Sequence, residues 1–283
     1  MKLIEKLTLD EERALYGIRD TLVRSCTFDG PADGESALKE CRDIRVEDCV
    51  FHLRYPFWHV EGAKVSGIAM TEGCRAAFWY DREVHVMGSR LGGIKAFREM
   101  DNCSLTDCEI NSKEFGWRCR DLTVRNCKLE SEYPFFWCKG MDIDGLEMKG
   151  KYSFQYCEEL VIRNSNLDTK DAFWHAKNVT VYDSVIKGEY LAWYSENLRL
   201  VRCTIIGTQP LCYCKGLVLE DCKMIGCDLA FENSQVQASI SGSVDSVKNP
   251  AGGFVEADAI GEIILDEFQW NPGQTKIGVR IST

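Results

Sequence analysis

The sequence predicts an all-β solenoid of short parallel strands. Three observations predict it: a fixed spacing of apolar residues, a two-residue alternation inside each repeat, and a recurring column of turn-forming residues. The spacing is nineteen positions, as from Leu122 to Met141. Leu122 and Val124 are followed at that interval by Met141 and Ile143, Leu160 and Ile162, Val179 and Val181, Leu198 and Leu200, and Leu217 and Leu219. Toward the N-terminus the same pair reads Cys103/Leu105, Val84/Val86, Ala63/Val65, Ile44/Val46 and Thr21/Val23, with the step lengthening twice. Self-similarity at a period near twenty residues marks stacked supersecondary units, each unable to bury its apolar face alone. Within one unit the inward positions are Leu122/Val124, Cys127/Leu129, and then Phe135 and Cys138 after a polar turn. Period-two alternation is a strand with one buried face, and the i, i+3, i+4, i+7 stripe of a helical repeat is missing. The corner column reads Asp48, Gly67, Gly88, Asp107, Asn126, Gly145, Asn164, Asp183 and Asp221, residues that tolerate left-handed backbone; Arg202 is its exception.

The elements follow in order. Residues 1–14, with Leu3, Ile4, Leu7 and Leu9 ahead of Glu11-Glu12-Arg13, are expected to cap the N-terminal end. Residues 15–230 form the regular coils, about eleven at about 4.8 Å each, and residues 231–283 add less regular strands and a C-terminal cap, the whole chain 1–283 being one domain. An open solenoid end exposes unpaired backbone groups, which is why caps are expected.

Composition bounds the function. The chain has 283 residues, 34 basic and 44 acidic side chains and a formal charge of −10. It lacks the basic block of a nucleic-acid ligand surface. Charges interrupt the apolar residues of the N-terminus, no stretch is long enough to span a bilayer, and a cytoplasmic location is expected.

Several segments are familiar. Phe135-Phe-Trp-Cys-Lys-Gly140, the run from Lys170 through Trp174 and His175 to Ser184, Gly188-Glu-Tyr-Leu-Ala-Trp193, Ser243-Val-Asp-Ser-Val-Lys-Asn-Pro250 and Ala257-Asp-Ala-Ile-Gly-Glu-Ile-Ile264 together resemble a bacterial family catalogued only as a domain of unknown function. That family belongs to the pectin-lyase-like group, so the resemblance implies a single-stranded, right-handed parallel β-helix, here with a coil of about nineteen positions. It implies no catalytic residue. The group contains polysaccharide lyases and hydrolases as well as non-catalytic β-helices, and a fold does not name a reaction.

The 15 cysteines are an odd number for a disulfide framework in a chain without an export signal. Most fall in two columns. One holds Cys26, Cys49, Cys108, Cys127, Cys203 and Cys222 and shares its position with Ser165 and Ser184; the other holds Cys41, Cys119, Cys138, Cys157 and Cys214, alternating with Ala176 and Ser195. Exchange with Ser and Ala indicates a small buried position where a thiol acts as a compact apolar group. Cys212-Tyr213-Cys214 lacks the second ligand pair of a structural zinc site, and neither a metal nor another cofactor is implied.

The functional residues are sought along one edge. After each inward Leu or Phe comes a first column, Tyr16, Lys39, Trp58, Trp79, Arg98, Trp117, Phe136, Gln155, Trp174, Trp193 and Cys212, which is expected to face outward because charged residues share it with tryptophan. The next column reads Glu40, His59, Tyr80, Glu99, Arg118, Trp137, Tyr156, His175, Tyr194 and Tyr213. Three readings compete for this edge. Its rings stack on one another and only stabilise the fold; or Trp58, Trp79, Tyr80, Arg98, Trp117, Trp137, Trp174 and Trp193 form an interface, most simply a homodimer; or the indoles bind carbohydrate. The leading reading is a binding or scaffold β-helix, and the alternative is a carbohydrate-active lyase or hydrolase. For the enzyme, Asp81 and Glu99 on neighbouring coils are the acid pair, with Arg118, Arg98 and His59 nearby. Asp81, however, occupies a column otherwise filled by small or apolar residues. His52 and His85 are expected to point to solvent.

Overall fold

The computed structural model describes residues 1–30 and 36–280. Among them the chain forms strands and turns, and no helix is long and apolar enough to cross a membrane. The apolar pairs that recur at the nineteen-position step lie side by side on consecutive coils. Cys103–Leu105 pairs with Leu122–Val124, which pairs with Met141–Ile143; Leu160–Ile162 pairs with Val179–Val181, which pairs with Leu198–Leu200, and every pairing is parallel. The architecture is a right-handed parallel β-helix. The register is strict because a slip of one residue would turn every buried side chain outward.

The described chain divides into two compact units, Met1–Glu147 and Met148–Thr283. In the first, a long strand recurs on each coil from Lys2–Glu5 through Arg42–Glu47, Arg82–Met87 and Lys139–Asp144, followed by a short second strand such as Thr27–Phe28 or Arg90–Leu91. A third set, Phe57–Trp58, Phe78–Trp79 and Phe97–Arg98, forms its own small parallel sheet. The lengthened steps fall between the paired Ala63 and Val84, two positions beyond the usual nineteen, and between the paired Val23 and Val46, four positions beyond it. The segment 1–14, expected as a cap, supplies a coil of its own, with Lys2–Glu5 pairing in register with Thr21–Arg24. In the second unit, stacking also continues past residue 230: Val236 pairs with Gly253, a step two positions short of nineteen, and Gly253 with Thr275, a step three positions longer than it. The irregular steps explain why no fixed period finds these coils. Residues 281–283 of the expected C-terminal cap lie outside the described residues.

Phenylalanine fills the interior. In the first unit Phe57 stacks on Phe78 with centroids 4.4 Å apart, and the series continues through Phe97, Phe115 and Phe135 at 5.6–5.7 Å. In the second, Phe154 and Phe173 stack at 4.9 Å. Each buried ring contributes about 1.5–3 kcal/mol. Gly116 stands where the others have an inward Leu or Phe, and a Cβ there would lie 2.5 Å from the ring of Phe135.

The corner column is left-handed throughout. Asp48, Gly67, Gly88, Asp107, Asn126 and Gly145 in the first unit, and Asn164, Asp183 and Asp221 in the second, all have positive φ. Arg202 conforms too, with φ 51°. Its guanidinium grips both carboxylate oxygens of Asp183 at 2.7 Å, which offsets part of the left-handed penalty.

All 15 cysteines are buried and free. They are more than apolar fillers. Cys41 donates its thiol hydrogen to the Leu15 carbonyl at 3.2 Å, Cys138 to Gly116 at 2.6 Å, Cys214 to Ala192 at 3.2 Å and Cys222 to Leu200 at 3.3 Å. The thiol thus satisfies a carbonyl of the preceding coil, and serine hydroxyls at the same positions bond corner backbone equally: Ser184 donates to Tyr182 at 2.6 Å and accepts from the Ser165 N–H at 3.0 Å. That shared role accounts for the exchange of Cys with Ser. Burial pushes the Cys41 and Cys74 thiols up to about 11 and Cys49 and Cys103 up to about 12. Native protein treated with a thiol-specific alkylating reagent at pH 8 is therefore expected to gain almost no label, and denatured protein to gain all fifteen. Rapid labelling of several cysteines in the native state would contradict this packing.

Candidate functional site

The aromatic edge arises because each inward Phe is followed by one side chain lying against the coil wall and one projecting at the corner. The first column was expected to face outward, and the structure corrects this for all its members but Tyr16, which is exposed. Trp58, Trp79, Trp117, Trp174 and Trp193 are half-buried, and Phe136 and Cys212 are buried. Three indoles are held by the wall itself: Nε1 of Trp117 donates to the Tyr133 carbonyl at 2.7 Å, Trp174 to Tyr190 at 2.6 Å and Trp193 to Gln209 at 2.8 Å, whereas Nε1 of Trp58 and of Trp79 is buried without a hydrogen bond. Gln155 makes the same bond to Asp171 at 3.0 Å, so a polar residue in this column is explained without exposure.

In the first unit, Trp58 and Trp79 stack with centroids 5.4 Å apart at 14°. Tyr55 packs against both at 5.7 and 5.8 Å, and Lys39 Nζ lies 3.9 Å over Trp58. Arg98 lies 5.5 Å over Trp117, which meets Trp137 edge-on at 5.8 Å. In the second unit Trp174 and Trp193 stack at 5.4 Å and 2°. Tyr55 was not among the expected site residues, because it precedes the third strand in a turn with no periodic position. Trp270, which belongs to neither column, packs on Tyr213 at 5.8 Å.

The second column is the more exposed one, with Glu40, Glu99 and Tyr213 half-buried and the rest exposed, and it lies on left-handed backbone. Glu40, His59, Tyr80, Glu99, Arg118 and Trp137 in the first unit and Tyr156, His175, Tyr194 and Tyr213 in the second have φ between 53° and 61°. Here the rings form a ladder. Tyr156 and His175 stack at 5.0 Å and 7°, His175 and Tyr194 at 5.2 Å and 9°, and Tyr194 and Tyr213 at 5.0 Å and 13°. In the first unit His59 pairs with Glu40 at 3.0 Å, Arg118 lies 5.4 Å over Trp137, and Glu99 pairs with Arg98 at 3.3 Å. A hydrogen bond to Glu99 raises the Tyr80 phenol above its ordinary range. The ring faces of His175 and Tyr194 are each covered on both sides, so solvent meets their edges and polar atoms.

The acid pair expected for catalysis is not brought together. Asp81 is buried on the inner side of the wall, while Glu99 projects at the outer corner. Asp81 Oδ1 accepts the Val60 N–H at 2.7 Å, and its Oδ2 is buried without a hydrogen bond. Desolvation holds its carboxyl well above the ordinary range. The column itself carried this signal, since its other members are small or apolar. His52 and His85 are exposed, as expected. Among the described residues no cluster of three or more His, Cys, Asp or Glu side chains could hold a metal.

Fold and edge together define a right-handed parallel β-helix with a half-buried tryptophan wall and a corner ladder on left-handed backbone. The chain belongs to a family described as a protein of unknown function (DUF3737), whose model matches residues 2–278. No curated protein matches the sequence. Among solved structures the chain is similar to the mannuronan C-5 epimerase AlgE4 A-module of Azotobacter vinelandii, with 8% identity, 84% of this chain and 89% of that one covered, and a TM-score of 0.41. It is similar to the DFA-IIIase of Arthrobacter chlorophenolicus A6 without its lid, with 9% identity, 99% and 89% covered and a TM-score of 0.41. It is also similar to PfbA, a surface adhesin of Streptococcus pneumoniae, with 11% identity, 82% and 72% covered and a TM-score of 0.35. No residue role is carried from these structures to this chain.

The burial of Asp81 sets a pH dependence. A carboxyl whose folded pKa is raised binds its proton more tightly in the native state, so its contribution is present below the unfolded value of about 3.9 and is lost as pH rises from there through the folded value. Asp81→Asn keeps the acceptor for Val60 and removes the titration. It is expected to raise Tm at pH 7, with the gain shrinking as pH falls toward about 4. A destabilisation of equal size at both pH values would show that Asp81 does not act through ionisation.

Proposed function

We propose that the protein is a non-catalytic binding β-helix, that its exposed corner ladder is the docking edge, and that the partner is a second copy of the chain. One observation supports this reading above the rest. The corner places Tyr80, Trp137, Tyr156 and Tyr194 at 44–45% exposure on left-handed backbone, where the neighbouring corner columns place mostly Asp, Asn and Gly. A left-handed non-glycine residue costs about 1–2 kcal/mol, and a stacked aromatic pair contributes about 0.5–1.5 kcal/mol beyond its burial. The two nearly cancel, so folding gains little from aromatic rings here, and a surface role remains.

Two features favour a protein over a sugar. A sugar ring stacks on an aromatic face, and the faces of His175 and Tyr194 are already covered, whereas a protein surface packs against ring edges and hydroxyls. The edge of the first unit carries both signs, Glu40 and Glu99 with Arg98 and Arg118. An antiparallel copy then meets opposite charges through one self-complementary patch. Light scattering of the purified chain is expected to give a dimer mass, and Tyr80→Asn with Trp137→Asn a monomer. Two interface anchors of about 2 kcal/mol each weaken association roughly a thousandfold. Asn tolerates the left-handed corner, so the double variant remains folded. A monomeric parent, or a double variant that stays dimeric, would overturn the reading.

A further inference from the structure

A second surface, on the outer face of the long sheet in the first unit, departs from the charge rule the molecule otherwise follows. Neighbouring coils stack opposite charges. Arg42 pairs with Glu61 at 3.0 Å, Arg82 with Asp101 at 3.7 Å, Lys95 with Glu114 at 3.7 Å and Arg125 with Asp142 at 3.0 Å. The second unit repeats the rule with Lys170–Glu189, Lys177–Glu196 and Arg202–Asp183. Like charges facing each other on adjacent strands are destabilising, so the alternation is what stability alone selects.

One column breaks it over three successive coils. Arg45 lies beside Lys64, and Lys64 beside His85. The flanking rungs bring no carboxylate: Leu22 precedes Arg45, and Ser104 follows His85. Other basic neighbours in the unit have a carboxylate on an adjoining rung: Arg19 and Arg42 are followed by Glu61, and Arg120 and Lys139 are preceded by Asp101. The basic triplet lines an open groove of about 510 Å³, with Ser66, Ser104 and Thr106 as hydroxyl donors and one carboxylate, Glu47, also in the lining. Glu47 faces Arg24 on the preceding coil, which already pairs with Glu5 at 2.7 Å. His85 Nδ1 is 2.8 Å from Ser104 Oγ, which fixes the ring at the end of the row. In a chain of net charge −10, two exposed cations and an imidazole in one row, beside hydroxyls, form a local electropositive track.

We propose that this groove binds a multiply charged anion of the phosphate or sulfate class, whose successive charges lie opposite Arg45, Lys64 and His85 at the coil spacing of about 4.8 Å. Arg45 supplies the planar fork for two oxygens, Lys64 a point charge, and the hydroxyls the remaining donors. The site lies apart from the aromatic edge and does not depend on that reading.

The test is calorimetric titration of the intact protein with inorganic tripolyphosphate at low ionic strength. Saturable binding is expected, weakened about tenfold for each cation removed, as in Arg45→Gln and Lys64→Gln. Arg42→Gln and Arg82→Gln at the starts of the same long strands, whose cations are already paired, are expected to bind as the parent does. All four positions are exposed, and thermal melts confirm that the variants fold. Absence of saturable binding, an unchanged affinity in Arg45→Gln/Lys64→Gln, or an equal loss in the paired-cation controls would overturn the proposal.

Discussion

The rest of the structure depends on the left-handed corner. A coil closed in about nineteen positions must change direction sharply several times, and each sharp change is made by residues of positive φ stacked above one another from coil to coil. The corner sets where each strand starts, the strand start sets which side chains point inward, and the inward set builds the Phe and Cys columns. Because the same corner recurs on each coil, a choice made there is repeated as a column, and so is its energetic consequence. Aspartate, asparagine and glycine make the turn cheaply. Where the chain instead uses Arg202, an ion pair with Asp183 compensates; where it uses Tyr156, His175 and Tyr194, ring stacking does.

Much of the fold was legible in the sequence because buried positions repeat at an interval set by the backbone. Leu122, Met141 and Leu160 state the coil length directly, and the exchange of Cys with Ser announces a small corner site. Coils after residue 230 were not legible, since the steps from Val236 to Gly253 and from Gly253 to Thr275 differ from each other and from the period of the rest. The site was harder to read than the fold. Tryptophan beside Lys, Arg and Gln in one column resembles an exposed position, but Nε1 of Trp117 and Nε2 of Gln155 each reach a backbone carbonyl along the wall. Composition cannot distinguish a polar group satisfied by backbone from one satisfied by water. Asp81 was placed correctly by its column and misassigned by its chemistry, because adjacency of coils is not adjacency of side chains. Asp81 and Glu99 lie on neighbouring coils and on opposite sides of the wall.

Two surfaces remain after the fold is accounted for, and both are departures from what stacking prefers. The aromatic corner replaces residues that suit left-handed backbone, and the Arg45–Lys64–His85 row lacks the carboxylate that adjoins the other basic neighbours of the first unit. Neither departure helps coil stacking. In a repeat molecule this contrast is unusually clear, because the neighbouring coils supply an internal reference for every position.

The central claim is that the exposed corner ladder is dispensable for folding. Thermal unfolding of the triple variant Tyr156→Asn, His175→Asn, Tyr194→Asn tests it most directly, since all three positions are exposed and left-handed and stack in one row. The account predicts a single cooperative transition with Tm within a few degrees of the parent, a net change of about 1 kcal/mol or less per position as relieved backbone strain offsets lost stacking. A loss of cooperativity, or a fall in Tm corresponding to several kcal/mol, would show that the aromatic ladder holds the coils together and contradict the account.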